Sequence, residues 1–113
     1  MESLKQKLRE FATARDWEQF HSPKNLVMAL SVEVAELMEH FQWISQDQSR
    51  NLDAKTREKV RQEIGDVMVY LVRLADQLGI DPVAAAQEKV SVNEARYPAE
   101  KVRGSAKKYN EYE

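Results

Sequence analysis

The sequence has no cysteine, only three glycines and three prolines, and no long apolar run. Without cysteine there are no disulfides, no thiolate metal sites and no cysteine nucleophile. Without a stretch of about 18 apolar residues there is no transmembrane helix. The opening decapeptide MESLKQKLRE is charged and lacks the apolar centre of a secretory signal, and a cytoplasmic location is expected. Neither sign of charge dominates: 17 Lys and Arg face 19 Asp and Glu, for a formal net charge of −2. So even a balance does not suit a chain that grips a nucleic-acid polymer. Hydrophobic residues at 42% and charged residues at 32% exclude a disordered tail. What is present is long Ala/Leu/Glu/Lys/Gln sequence, the composition of helices.

At 113 residues one domain is expected over the whole chain, 1–113, with a core thin enough to favour partner subunits. Four helices carry end signals. The first spans Leu4 to Ala14, with Ser3 as N-cap and Gln6 completing a capping-box pattern. Arg15 to His21 has no clean period and reads as a loop or short turn. Ser22-Pro23 opens the second helix, which runs to about Trp43. Leu26, Val27, Leu30, Val32, Val34, Leu37, Met38 and Phe41 surround most of that helix, so it is expected to be buried on several sides, in part by another subunit. Ser45 to Leu52 is polar and reads as a loop. Asp53 caps a third helix from Ala54 to Leu78, with Gly79 as its C′ residue. Asp81-Pro82 opens a fourth, which ends near Arg96 because Pro98 disfavours helical geometry at Tyr97. The tail from Ala99 is polar. The fold class is therefore all-α, a four-helix bundle, assembled as a homodimer or a homotetramer built as a dimer of dimers.

Four acids stand where apolar residues surround them. Glu33 and Glu36 interrupt Val32, Val34, Ala35 and Leu37, and Glu63 and Asp66 interrupt Ile64, Val67 and Met68. Each pair is spaced i, i+3 and shares one helix face, where like charges repel. That repulsion grows in drier surroundings, so a cation is the natural partner. An all-oxygen ligand set suits Mg²⁺, Ca²⁺ or Mn²⁺. No EF-hand calcium loop is present, and Mg²⁺ held by carboxylates commonly also binds substrate phosphates, so Mg²⁺ is expected, with Mn²⁺ as a substitute. Di-iron bundles use Glu-x-x-His on two helices, which is absent here. Gly65, a costly residue inside a helix, suggests close approach of another helix or a ligand. Glu39 continues the row as a possible fifth ligand, and His21 and His40 are ligand or acid–base candidates or else peripheral polar residues. The bland alternative is that all these acids lie on solvated stripes.

Glu33-x-x-Glu36 followed at a distance by Glu63-x-x-Asp66 resembles the signature of the MazG-like, all-α nucleoside triphosphate pyrophosphohydrolases. Arg15-Asp16-Trp17-Glu18-Gln19-Phe20-His21, the Phe41-Gln42-Trp43 end of the second helix, Asp66-Val67 through Tyr70-Leu71-Val72, and Asn93-x-x-Arg96-Tyr97-Pro98 are similar to the dCTP pyrophosphatase branch. The resemblance implies Mg²⁺-dependent hydrolysis of a (deoxy)nucleoside triphosphate, dCTP above all, to the monophosphate and pyrophosphate, a house-cleaning of the nucleotide pool. It implies Glu33, Glu36, Glu63 and Asp66 as metal ligands; of these, Glu36 and Glu63 are the catalytic candidates, Glu36 as the acid that orients the water. It implies Trp17, Trp43 and Tyr70 around the base and sugar, and Lys89, Asn93, Arg96 and Tyr97 at the phosphates. Leu8 stands where eukaryotic members carry a base-pocket histidine, which implies a narrower margin for dCTP over other deoxynucleotides. Two other functions compete: a non-catalytic helical interaction module, and a redox-active carboxylate bundle.

Overall fold

Three of the four main helices begin at an oxygen-bearing side chain standing just outside them. Helices α1 (Glu2–Ala14), α2 (Pro23–Glu39), α3 (Gln46–Arg50), α4 (Ala54–Gln77), α5 (Pro82–Arg96) and α6 (Ala99–Val102) follow in order, with one 3₁₀ turn at Glu18–Phe20. These come from a computed structural model that describes residues 1–104. Ser22 accepts from the Asn25 amide at 3.2 Å and Pro23 supplies the preset first turn of α2. Asp53 accepts from the Thr56 amide at 2.7 Å, and these bonds hold its carboxyl below the usual range. Asp81 accepts from the amides of Val83 and Ala84, at 3.0 and 3.1 Å, ahead of Pro82.

The chain also departs from its sequence reading. Helix α1 starts at Glu2 with no side-chain cap, and Ser3 lies inside it. Gln6, free of a capping role, bonds to Glu10 at 3.2 Å instead. Helix α2 stops at Glu39, and the chain tightens into successive turns through Ile44, so Phe41 and Trp43 lie beyond the helix. The segment taken as a loop holds α3, created by a capping box: the Gln48 amide donates to Ser45 Oγ at 3.1 Å while Gln48 Oε1 accepts from the Ser45 amide at 2.9 Å. A last short helix, α6, follows Pro98.

Helix α4 ends as its glycine predicts. Gly79 has φ of 67°, its amide bonds Asp76 O at 3.2 Å, and the Ile80 amide bonds Ala75 O at 2.9 Å. This is the crossed pair of a Schellman motif. Gly79→Ala puts a Cβ on a left-handed residue, and denaturant unfolding is expected to show a loss of about 1 kcal/mol. Helix α1 ends the same way without glycine: Asp16 takes φ of 54°, its amide bonds Thr13 O at 3.1 Å, and the Trp17 amide bonds Ala12 O at 3.0 Å.

Residues Met1–Ile80 form one compact unit and a second begins at Asp81. In the first, α2 and α1 both pack on α4. Its core is small: Ala12 from α1, Leu26 from α2, and Val60, Val72 and Ala75 from α4. Val27, Met28, Val32, Val34 and Met38 of α2, and Ile64, Met68 and Leu71 of α4, remain exposed. A Cβ on Gly65 would meet nothing within 4 Å, so among the described residues no other helix makes the close approach expected there. In the second unit α5 buries none of its residues. No helix among the described residues is long and apolar enough to cross a membrane.

One polar tie fastens α1 to α4. Arg9 donates from Nε and Nη2 to the two carboxylate oxygens of Asp76, at 2.7 and 2.6 Å. Arg73, one turn before Asp76, shares the same carboxylate at 3.5 Å.

Candidate metal centre and adjoining cavity

Packing α2 against α4 brings their acidic faces together. Glu33 and Glu36 stand one turn apart on α2, and Glu63 and Asp66 one turn apart on α4. Carboxylate oxygens of Glu33, Glu36 and Glu63 lie within 4.8 Å of one another. Asp66 is more exposed, borders the adjoining cavity and adds its field to Glu33.

The electrostatic consequence falls on Glu33. Its carboxyl is pushed up to about 7, first by burial, then by hydrogen bonding to and the charge of Glu36, with Asp66 and Glu63 contributing. Oε2 of Glu33 and Oε2 of Glu63 are sealed from solvent and have no hydrogen-bond partner. Orphaned buried acceptors of this kind demand a proton or a cation. The donor set is oxygen only, which fits a hard divalent ion such as Mg²⁺ or Mn²⁺. No histidine joins the cluster among the described residues: His40 caps the end of α2, outside the group, as does Glu39 on the last turn.

A cavity of about 170 Å³ opens beside the acids. Glu33 and Asp66 border it, and α4 continues the lining with Val69, Tyr70 and Arg73. Leu8 and Phe11 of α1 face these residues, and Trp17 and His21 complete the wall from the segment after α1. The indole of Trp17 is set in place by the turn at Asp16 and meets Phe11 edge-on, with ring centres 5.6 Å apart and planes at 70°. Arg15 lies over the Phe11 ring, its guanidinium carbon 3.7 Å from the ring centre. His21 accepts from Arg73 Nε through Nδ1 at 3.3 Å. Burial and the charge of Arg73 hold the imidazole below its ordinary value, against a smaller opposing pull from Glu18, so it stays neutral and able to accept.

Of the residues assigned to the substrate, Trp17 and Tyr70 border this cavity next to the acids. Trp43 does not border it and is 85% exposed in the turns after α2. Lys89, Asn93 and Arg96 lie on α5 in the second unit and Tyr97 ends that helix, its amide bonded to Asn93 O at 2.8 Å. Sequence reasoning passed over Phe11 and Arg73. Phe11 carries no signal beyond a helical apolar position. Arg73 does: it is an ionisable residue inside the apolar run Val67 to Leu74, the same anomaly that drew attention to the acids.

The sequence profile of the MazG-like family matches residues 28–112. Human dCTP pyrophosphatase 1 is 41% identical over 113 aligned residues, covering 98% of this chain and 66% of that protein. The rat protein of the same name is 42% identical with the same coverage. The chain thus spans just under two thirds of the length of these relatives. Among solved structures, a pyrophosphatase from Archaeoglobus fulgidus matches with a TM-score of 0.82 and 43% identity, over 87% of this chain and 92% of that one.

Proposed function

The chain belongs to the MazG-like family, and on that premise we propose that it hydrolyses a deoxynucleoside triphosphate, dCTP or a close relative, to the monophosphate and pyrophosphate. The observation that carries this reading is one continuous site, in which unpartnered carboxylates adjoin a cavity walled by aromatic rings. Similarity to dCTP pyrophosphatases and to an archaeal pyrophosphatase supports the same chemistry.

Glu33, Glu36, Glu63 and Asp66 would hold Mg²⁺, with Mn²⁺ as a substitute. Once bound, the ion supplies Lewis-acid neutralisation of the triphosphate. Glu36 accepts a hydrogen bond from the attacking water and aims it at the α-phosphorus, while Glu63 fixes the acidic face opposite. Trp17 and Tyr70 give the base stacking surface, a sequence-tolerant contact worth about 1–3 kcal/mol per base. Family resemblance alone carries the assignment of Trp43 to the base and of Lys89, Asn93, Arg96 and Tyr97 to the phosphates. The many exposed apolar side chains of α2 and α4 support a homodimer or homotetramer, in which a partner subunit would cover them. The same reading places the protein in the cytoplasm with its substrate. Those exposed side chains also favour, as a second reading, a non-catalytic interaction module, which requires neither Mg²⁺ affinity nor turnover.

Pyrophosphate release measured with Mg²⁺ over the common dNTPs and NTPs separates the two. The expected result is turnover with dCTP at or near the top, and in ¹⁸O-water the label enters the monophosphate. Label in pyrophosphate would move the attack to the β-phosphorus. No release from any nucleotide would end the hydrolase reading.

A further inference from the structure

Arg73 is the third member of the α4 stripe that begins with Asp66 and Tyr70, and the chemistry above leaves it unused. It is 3% exposed, the one charged residue buried with the core among those described. Two of its nitrogens are placed: Nε donates to His21 at 3.3 Å and Nη1 lies 3.5 Å from Asp76. Nη2 has no partner and no contact with solvent, although the residue borders the cavity. Arginine is a donor only and keeps its charge. An unpaired Nη2 is therefore a pair of unmet N–H groups on a residue that borders a ligand-sized space, and native proteins seldom leave such groups unmet.

Its place along α4 says which part of a nucleotide would meet it. Seven residues of helix separate Arg73 from Asp66, a rise of about 10 Å. That is the reach of a nucleoside from a phosphate held at the acids, not of the phosphates themselves. The surroundings agree. Asp76 already offsets the charge of Arg73, and Leu8, Phe11 and Trp17 make the facing wall apolar and aromatic.

We propose that Arg73 is the base-reading residue of this site, its guanidinium shifting on binding so that Nη2 donates to N3 of a cytosine ring, with O2 beside it, held against the aromatic wall. The assignment rests on the nucleotide pyrophosphohydrolase reading and adds the source of its selectivity. Cytosine presents an acceptor at N3, whereas uracil and thymine present an N–H there, which sets donor against donor. Stacking cannot make this distinction, and Leu8 contributes no polar atom. His21 and Asp76 are positioning residues: each takes one nitrogen of the guanidinium and together they fix its plane.

The test compares kcat/KM for dCTP, dTTP and 3-deaza-dCTP, in which carbon replaces N3, with the wild-type protein and with Arg73→Met. The wild type is expected to prefer dCTP over the 3-deaza analogue by about tenfold or more, since the analogue leaves the buried donor unmet. Arg73→Met should treat the two alike, and its loss on dCTP should lie mainly in KM. A merely structural role would lower all three substrates by one factor and keep their ratios, which would overturn the proposal. Should Arg73→Met fail to fold, the wild-type comparison decides: equal use of dCTP and 3-deaza-dCTP sinks the assignment and leaves pyrophosphohydrolysis standing. A wild type that turns over no nucleotide removes the underlying reading, and Arg73's role with it.

Discussion

Glu63→Gln is expected to lower turnover by about a thousandfold or more, a loss of about 4 kcal/mol of transition-state stabilisation. Glutamine keeps the length of the side chain and one acceptor oxygen, so the helix and its packing survive while the charge that attracts a divalent ion is gone. The same change should stabilise the metal-free protein. Glu33 is protonated up to about 7 in the fold against 4.5 when unfolded, because it is buried and faces like charges. A group raised in this way contributes stability below the unfolded value and loses it as pH rises through the folded one. Removing the Glu63 charge relieves part of that penalty, so the gain in metal-free melting temperature should be larger at pH 8 than at pH 5. Near-normal turnover in Glu63→Gln would end the assignment of this cluster to catalysis.

The second large effect concerns the tie between α1 and α4. Asp76 keeps 7% of its side chain exposed and carries both Arg9 and Arg73. Asp76→Asn leaves the buried Arg73 without a counter-charge, the costly way to break a buried pair, at about 3 kcal/mol. For a chain of this size that is a fall in melting temperature of roughly 10–20 °C. The pH dependence follows from the same bonds. Hydrogen bonding to Arg9, and then its charge, hold the Asp76 carboxyl below its ordinary value. Its contribution is present above the unfolded carboxylate range and lost as pH falls through the depressed value. The wild-type stability curve should therefore drop more steeply in acid than that of Asp76→Asn. A loss under 1 kcal/mol at neutral pH would show that Arg73 does not depend on this carboxylate.

What was legible in the sequence was what local chemistry decides. Ser22-Pro23, Asp53 and Asp81-Pro82 each act on amides two or three residues away, and Gly79 on carbonyls of the preceding turn, so their helix ends could be read from neighbours alone. The i, i+3 acids in apolar stretches were legible as an anomaly for the same reason. Helix α3 escaped because five polar residues have no apolar face, and only the reciprocal Ser45–Gln48 bonds hold them helical. The end of α1 escaped because an aspartate takes the left-handed position that glycine usually fills. The pocket was harder still. Its polar side joins His21 with Arg73, 52 positions apart, and the tie behind Arg73 joins Arg9 with Asp76, 67 apart; no local pattern announces such pairings.

The way the aromatic wall is hung has a consequence for how this protein can change over generations. Trp17 is delivered by backbone bonds at the Asp16 turn, and it remains 44% exposed, as Phe11 remains 45%. Of the α1 residues only Ala12 is buried. The side chains that would touch a base are thus not the ones that hold the unit together, and exchanging them costs little stability. Selection can retune which base is accepted through Leu8, Phe11 or Trp17 without first accumulating a reserve of stability. Glu33, Glu63 and Arg73 have less freedom, because each carries a side-chain atom sealed from solvent. Under the proposed activity, substrate range is the freer property of this architecture, and the acidic cluster is the constrained one.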